Sequence, residues 1–204
     1  SLEERVQVIT PLANTAQEAI GSMGDDTPMA VLSEQQRSLY DYFRQQFAQV
    51  TNPPIDPLRE AIVMSLETCL GREESVFEQL QSHANRVILN SPVLSPARTS
   101  ALKDINRTGY KCENFSLHYD PEKYDLVGAI KKLCDDVVSV VKDDAVLVLM
   151  TDKNLSVEKL PIHALLAVGA VHHRLIKEGL RCNTNLLVET GTARDPHHVA
   201  ALLG

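Results

Sequence analysis

The clearest hydrophobic pattern lies in the C-terminal part of the chain. An amphipathic stretch over 121–141 predicts a helix, and the uninterrupted apolar run 145–150 predicts a strand that is buried on both faces. A helix over 161–178, a second buried strand over 185–189 and a helix from Asp195 follow along the chain. Strands and helices that alternate at this spacing predict βαβ units, and therefore an α/β fold with a parallel sheet.

A different pattern marks the N-terminal part, which we expect to be a mainly helical arm. Apolar side chains recur there at helical spacing and predict a helix over 35–48. We assign the arm and the loop after it to residues 1–60, and the α/β portion to 61–204. The apolar stripe of the predicted helix comprises Leu39, Tyr42, Phe43 and Phe47.

A proline-rich loop follows the arm. Three prolines between positions 53 and 57 are incompatible with a helix interior and favour a stiff, extended path. Asp56 and Pro57 then fit the N-cap and first position of a helix that extends to about Leu70 and ends at Gly71. Shorter predicted elements are a short strand that passes into a loop over 86–94, a short helix from Ser95 and a strand over 110–119.

Composition and charge exclude several functional classes. Of the 204 residues, 20 are Lys or Arg and 27 are Asp or Glu, and the net charge of −7 argues against a general nucleic-acid binder. The longest mostly apolar stretch, 160–171, is shorter than the roughly 20 residues that cross a bilayer. The four cysteines are far apart and no signal peptide is recognisable, so we expect a cytoplasmic protein. We also expect a segment of a longer polypeptide, because the chain lacks an initiator Met and stops within a predicted helix.

Histidines raise the question of a metal site. The pairs at 172–173 and 197–198 are adjacent in sequence, and neighbouring residues on a helix point about 100° apart. Neither pair can therefore bind one metal ion from a single helix face, and structural or exposed histidines are favoured over ligands. The loop 22–26 (SMGDD) offers a weaker phosphate or cation hypothesis, and a simple turn is favoured there.

Two further features are candidates for chemistry. Cys182, at the entry to a predicted strand, is interpreted as a buried structural thiol, and a Cys–His pair formed only in the fold stays open. The segments 151–152 (TD) and 189–191 (ETG) follow the ends of parallel strands, where α/β proteins place their sites. Residues of this kind also cap loops and helices, so the residues alone indicate an α/β domain without a defined function.

Several motifs resemble the central domain of the large subunit of glutamate synthases. They occur in the family's order from about residue 18 to the C-terminus, and 51–60 (TNPPIDPLRE) is long and specific. The resemblance implies an incomplete, cofactor-free copy of a TIM-type FMN barrel, in agreement with the predicted βαβ units. The motifs are 22–28 (SMGDDTP), 40–60, 160–172, 180–182 (LRC) and 188–198.

The same resemblance implies a function for the parent protein. Its amidotransferase domain hydrolyses glutamine, and the ammonia passes through an internal tunnel to an FMN domain. There it reacts with 2-oxoglutarate, and the resulting imine is reduced to glutamate. The parent protein is expected to contain an iron–sulfur cluster, to use NADPH as electron donor and to act with a small subunit. By resemblance, Thr51, Asn52, Pro53 and Ile55 lie near the tunnel entrance. A stiff backbone there would hold a narrow passage open, and uncharged groups would neither protonate nor trap ammonia. The alternative is that the prolines only lead into the next helix.

We expect this segment to contain no catalytic, cofactor-binding or metal-binding residues of its own. It has no N-terminal cysteine for glutamine hydrolysis, and its cysteines are too dispersed for an iron–sulfur cluster. Apolar surface that other domains would cover should make the isolated segment self-associate. The alternative function is a free-standing α/β protein or enzyme that binds a small molecule on the same scaffold.

Overall fold

The computed structural model describes residues 2, 5–17, 28, 30–44 and 56–204. Contacts within the chain divide it into two compact units, Ile55–Thr190 and the combination of Ser1–Pro54 with Gly191–Gly204. The α-helices are α1 (Thr10–Thr15), α2 (Pro57–Val63), α3 (Pro96–Lys103), α4 (Leu126–Lys142), α5 (Ala164–Lys177) and α6 (Pro196–Leu203). The strands are β1 (Thr68–Leu70), β2 (Val87–Leu89), β3 (Lys111–Ser116), β4 (His118–Tyr119), β5 (Ala145–Thr151), β6 (Leu160–Pro161) and β7 (Asn185–Glu189).

A three-stranded parallel sheet forms the centre of the larger unit. Its strand order is β3-β5-β7, and α4 and α5 connect successive strands, so the predicted βαβ units are confirmed. The central strand β5 is buried along Ala145–Met150, because it has a hydrogen-bonded neighbour on each side and packs against α4. Within the described residues the sheet is open and does not close into a barrel. Two antiparallel pairs, β1 with β2 and β4 with β6, accompany it.

Helices α4 and α5 cover this sheet with apolar faces. In α5 the buried residues recur at spacings of three and four, which is the pattern of a helix packed on one side. Asp125 caps α4 by accepting a hydrogen bond from the Gly128 amide, and His163 caps α5 through the Leu165 amide. The buried faces comprise Ala129, Leu133, Cys134, Val137, Val138 and Val141 in α4, and Ala164, Ala167, Val171 and Leu175 in α5.

The smaller unit joins chain segments that are distant in sequence. Its described elements are a π-helical turn (Arg5–Ile9), α1, a 3₁₀ helix (Leu39–Tyr42) and α6. Tyr40 is fully buried, and its ring stacks on His198 with 4.3 Å between the ring centroids. The Tyr40 hydroxyl lies 3.2 Å from Thr192 Oγ1, and His197 Nε2 lies 3.0 Å from the Tyr40 carbonyl oxygen. These contacts attach α6 to the N-terminal segment.

The predicted helix over 35–48 is wrong in its described part. Only Leu39–Tyr42 is helical, as a short 3₁₀ helix, and the backbone at Phe43 is extended. The predicted stripe is also wrong, because Tyr42 and Phe43 are about half exposed while Tyr40 is buried. The stacking of Tyr40 on a residue 158 positions away, His198, outweighs the local helical pattern. Phe47 lies outside the described residues.

Three other boundaries differ from the sequence prediction. Helix α2 ends at Val63, and the last part of the predicted helix, Thr68–Leu70, is strand β1, which pairs with β2. Helix α4 begins at Leu126 and not at Pro121, because Asp125 supplies the N-terminal cap. Helix α5 begins after 160–161, because these residues pair with β4 and the Ile162 amide donates to the Leu117 carbonyl. In each case strand pairing or helix capping determines where the helix begins or ends, and apolar periodicity alone predicted the boundary incorrectly.

Strand β7 and the stretch 110–119 also differ from expectation. The predicted strand over 185–189 is present but only half-buried, because in the described part of the chain it has a hydrogen-bonded neighbour on one side alone. The stretch 110–119 forms two strands, separated at the fully buried Leu117, whose amide donates to the Thr151 carbonyl. No helix in the described ranges is both long and apolar enough to cross a membrane.

Gly71 is required by a close approach between β1 and the core. Its φ is +145°, and a Cβ atom there would lie 2.9 Å from Tyr110 Oη and 3.0 Å from the Asn85 carbonyl oxygen. The Tyr110 hydroxyl lies 2.8 Å from both the Leu70 and Asn85 carbonyl oxygens and shares its single proton between them, so it cannot retreat without losing these contacts.

We predict that Gly71→Ala destabilises the protein by about 2 kcal/mol, through backbone strain and the displaced tyrosine. The control is Gly169→Ala in α5, where a Cβ atom meets nothing within 4 Å and alanine favours the helix by about 0.5–1 kcal/mol. Urea unfolding of both variants measures the difference. Equal stability of the two variants would refute the prediction.

Candidate functional site

The carboxyl edge of the parallel sheet brings together the strand-end residues that the sequence singled out. In the register of β5 and β7, Thr151 pairs with Glu189. The Asp152 amide donates to the Glu189 carbonyl oxygen at 3.1 Å, and Thr190 Oγ1 donates to Asp152 Oδ2 at 2.5 Å. The prediction that both segments follow the ends of parallel strands is therefore confirmed, and the structure adds that the two segments are in contact.

Glu189 is the centre of this edge. Its carboxylate accepts from Thr151 Oγ1 at 2.9 Å and lies 3.5 Å from Lys103 Nζ and 2.5 Å from Lys153 Nζ. Its side chain is only 18% exposed. The hydrogen bond from Lys153 is the main cause that lowers the pKa of Glu189, while burial opposes it. The group is therefore ionised at neutral pH.

These contacts determine what the edge can do chemically. A general acid or base must exchange its proton near the working pH, and Glu189 is held ionised by two ammonium groups. The formal charges of Glu189, Asp152, Lys103 and Lys153 sum to zero, so the edge holds no surplus positive charge for a phosphate. The edge is a network of paired charges that fixes the ends of β5 and β7.

A cavity lies at the opposite, amino edge of the sheet, where β3 and β5 begin. It has a volume of about 380 Å³. Its charged groups have hydrogen-bond partners: Arg72 Nη2 donates to Asp144 Oδ1 at 2.8 Å, and Ser82 Oγ donates to Glu74 Oε2 at 2.5 Å. Sequence reasoning missed this cavity because its lining comes from separate turns with no common motif. The lining residues are Arg72, Glu74, Ser82, Asn85, Gly109, Lys111, Asp144 and Val146.

One histidine of each pair, His172 and His198, occupies a structural position, whereas His173 is exposed. His172 Nδ1 accepts from Arg181 Nε at 3.0 Å, and burial, together with the charges of Arg181 and His173, lowers the pKa of His172. His198 is buried, and its Nδ1 accepts from the Arg194 amide at 3.1 Å. In the described parts of the chain, no three residues of metal-binding type converge on one point.

The cysteines do not form a cofactor cradle in the described structure. Burial raises the pKa of the Cys112 and Cys134 thiols, which makes both less nucleophilic at neutral pH. Cys69 and Cys182 are exposed, so the prediction that Cys182 is buried is wrong. The reason is that Cys182 lies in a short 3₁₀ helix before β7, and its carbonyl oxygen, not its thiol, is anchored by the Glu73 amide.

The residues expected near the ammonia tunnel, Thr51, Asn52, Pro53 and Ile55, lie outside the described residues. The same holds for the loop 22–26, the weaker phosphate or cation candidate. Their roles stay predictions.

Fold and site together define the class of the protein: an α/β domain with a parallel βαβ sheet and a carboxyl edge of mutually paired charges. Comparison with known proteins adds the family. A family model described as the glutamate synthase central domain matches residues 1–204. The chain therefore belongs to the glutamate synthase central domain family.

Full-length relatives share this segment at similar identity. The chain is 39% identical to glutamate synthase (NADH) of Schizosaccharomyces pombe, with 100% of this chain and 10% of that protein aligned. The glutamate synthase (NADPH) large chain of Bacillus subtilis is 38% identical, over 99% of this chain and 13% of that protein. Ferredoxin-dependent glutamate synthase 2 of Synechocystis sp. is 41% identical, over 99% of this chain and 13% of that protein. The chain thus spans only 10–13% of the length of these relatives.

The charge network predicts a pH-dependent contribution to stability. We expect Glu189→Gln to lower the free energy of unfolding by about 1 kcal/mol at pH 7, because two charge-assisted contacts are lost at a partly exposed site. The folded pKa lies below the ordinary value of 4.5, so this stabilisation is present above about pH 4.5 and is lost as the pH falls through the folded pKa.

Urea unfolding of wild type and Glu189→Gln between pH 7 and pH 3 measures this contribution. The two curves should converge at low pH. The control is Glu158→Gln at an exposed position, where we expect no comparable loss. A difference for Glu189→Gln that stays constant over the whole pH range would contradict the ion-pair explanation.

The environment of His172 gives a second prediction. Arg181→Gln removes the positive charge and the Nε donor beside the ring, so we expect the pKa of His172 to rise. NMR titration of the imidazole measures this, with the exposed Arg98→Gln on α3 as the charge-matched control. An unchanged His172 pKa in Arg181→Gln would mean that burial and His173 lower the pKa without a contribution from Arg181.

Proposed function

We propose that this chain acts as a non-catalytic domain of a glutamate synthase, an oxidoreductase that makes glutamate from glutamine and 2-oxoglutarate. In this proposal it links the amidotransferase domain to the FMN domain of the same polypeptide and forms part of the path for ammonia. The parent protein would be cytoplasmic and would act with a small subunit. The observation that carries the non-catalytic role is the paired state of Glu189 between Lys103 and Lys153.

The carboxyl edge of a parallel sheet is where a barrel enzyme places its reacting groups. In this chain the acidic group at that edge is ionised and bound by two lysines, and the neighbouring Asp152 accepts from Thr190. Side chains that satisfy one another in this way stabilise strand ends. This supports a scaffold role for the βαβ unit.

The cofactors of the parent protein do not fit the described residues of this segment. An iron–sulfur cluster needs several converging thiolates, whereas Cys134 is buried on α4 and Cys69 and Cys182 are exposed. An FMN phosphate is held by backbone N–H groups at a helix N-terminus or by cationic side chains, and the lysines of the carboxyl edge are already paired. We therefore assign FMN and the iron–sulfur cluster to other parts of the parent polypeptide.

We also assign the binding site of the electron donor to another part of the parent polypeptide. Relatives named for NADH, NADPH and ferredoxin match this chain at 39%, 38% and 41% identity. Such even identity is expected when a segment does not contact the donor. Binding of NADPH by the parent protein stays a proposal that rests on the resemblance.

The alternative of a free-standing protein that binds a small molecule depends on the cavity at the amino edge. Its volume of about 380 Å³ suffices for a small metabolite, but its charged lining groups already have partners: Arg72 pairs with Asp144, Glu74 accepts from Ser82, and Lys111 pairs with Asp143 outside the cavity. The parent-domain function therefore has the stronger support.

We predict that bulky substitutions in the proposed tunnel segment uncouple the two half-reactions. In full-length enzyme, Thr51→Leu and Asn52→Phe should reduce glutamine-dependent glutamate formation by roughly tenfold, because they obstruct ammonia transfer. Glutamine hydrolysis and glutamate formation from added ammonia should persist. The measurement is the ratio of glutamine hydrolysed to glutamate formed.

The matched control is Asn106→Phe, an exposed asparagine in the loop before β3. It should leave the ratio unchanged. Unchanged coupling in Thr51→Leu and Asn52→Phe would rule out a channelling role for this segment. The linker role would then be the one part of the proposal that remains.

A further inference from the structure

A hydrogen bond between an arginine and a histidine joins α5 to the turn that follows it. This turn is the 3₁₀ helix Arg181–Asn183, which we call the 181–183 turn. Arg181 Nε lies 3.0 Å from His172 Nδ1. A guanidinium group can only donate, so His172 Nδ1 accepts, and the imidazole is neutral with its proton on Nε2. The bond therefore exists in only one protonation state of His172.

The 181–183 turn is attached to the amino edge of the sheet. The Cys182 carbonyl oxygen accepts a hydrogen bond from the Glu73 amide at 2.8 Å. In the sequence, Glu73 lies between Arg72 and Glu74, two residues that line the cavity at this edge. A displacement of the turn therefore also frees backbone at the wall of the cavity.

The chain beyond the turn is fixed without the help of His172. Thr184 is buried, and its Oγ1 donates to the Val146 carbonyl oxygen at 3.2 Å. The Asn185 side-chain amide donates to the same oxygen at 3.1 Å, and Arg181 Nη1 donates to the Thr184 carbonyl oxygen at 2.9 Å. Loss of the bond to His172 therefore loosens the 181–183 turn and leaves β7 in the sheet.

Acid converts the attraction between the two side chains into repulsion. Protonation of His172 turns Nδ1 from an acceptor into a donor and places a second positive charge beside the Arg181 guanidinium. Burial, followed by the charges of Arg181 and His173, lowers the pKa of His172. The bonded arrangement thus disfavours the imidazolium, and by linkage protonation favours an arrangement in which the bond is broken.

No acidic side chain in the described structure compensates this charge. α5 packs mainly against α4, β7 and the 181–183 turn, and the charged or titratable groups that act on the His172 ring are Arg181 and His173. The acidic residues of α4 and β7, and the one that follows α5, have other partners. They are Asp135 with Arg174, Asp136 with Lys132, Glu178 with Arg174 and Lys142, and Glu189 with Lys103 and Lys153.

We propose that His172 and Arg181 form a pH-sensitive latch, which holds the 181–183 turn against α5 at neutral pH and releases it in mild acid. This device does not depend on the proposed function. The latch begins to weaken below the ordinary imidazole pKa of 6.5 and is lost as the pH falls through the lower pKa of His172 in the folded protein. Its release exposes the Glu73 amide at the amino edge while the sheet persists.

Hydrogen exchange of the full-length enzyme, followed by mass spectrometry, tests the latch at about pH 7.5 and about pH 5.0. The readouts are the peptides that contain Glu73 and the 181–183 turn. Each variant is compared with wild type at the same pH, so the intrinsic exchange rates cancel. The pKa values of Glu178 and Glu189 are lowered from 4.5 by their hydrogen bonds, so both carboxylates stay largely ionised at the lower pH.

His172→Gln isolates the titration, because a glutamine carbonyl can accept from Arg181 and does not take up a proton. At neutral pH it should exchange like wild type, and in acid wild type should exchange at least about threefold faster than this variant. The matched control, His173→Gln at the exposed neighbouring position, should follow wild type at both pH values. Equal exchange of wild type and His172→Gln in acid, or loss of the acid effect in His173→Gln, would overturn the proposal.

His172→Leu gives a second readout that does not depend on how well glutamine fits. It removes the acceptor, so we expect the Glu73 amide to exchange at least about threefold faster than in wild type at neutral pH. In acid the two proteins should exchange alike. Exchange of His172→Leu equal to that of wild type at neutral pH would show that the bond does not hold the turn. Loss of protection along β5 in acidified wild type would show global unfolding and would equally refute a local latch.

Discussion

The burial of β5 is the constraint on which the rest of the larger unit depends. Six consecutive residues, Ala145–Met150, are removed from water, so every backbone amide and carbonyl among them needs a partner within the protein. Strands β3 and β7 supply these partners on the two sides, and α4 and α5 are the connections that make the pairing parallel. The positions of both edges of the sheet follow from this one strand.

The larger unit has two contrasting kinds of surface: a carboxyl edge of paired charges and the exposed apolar side chains of α2. At the carboxyl edge, Glu189 and its lysines satisfy one another, so little binding capacity is left over. At α2, apolar side chains such as Leu58 and Ile62 remain uncovered, and apolar area gains free energy only when a partner removes it from water. This distribution is what a domain built to join other domains requires, and it agrees with the proposed linker role.

Much of the site could be predicted, and the rest depended on distant contacts. The strand ends at Thr151 and Glu189 were predictable because buried apolar runs define strands, and parallel strands end at one edge. Their partner Lys103 was not, because it comes from α3 and carries no motif. The helix over 35–48 failed for a similar reason, since the Tyr40–His198 stack joins residues 158 positions apart.

The sequence by itself determined the family, the βαβ order and the helix starts at Asp56 and Asp195, because motifs, apolar periodicity and capping are local properties of the chain. Tertiary structure alone decided where helices give way to short strands, as at Thr68–Leu70, and which charged groups pair. Those outcomes depend on hydrogen bonds and burial between residues far apart in sequence. Such contacts override local preference whenever an unpaired buried group or an uncovered apolar face would otherwise remain.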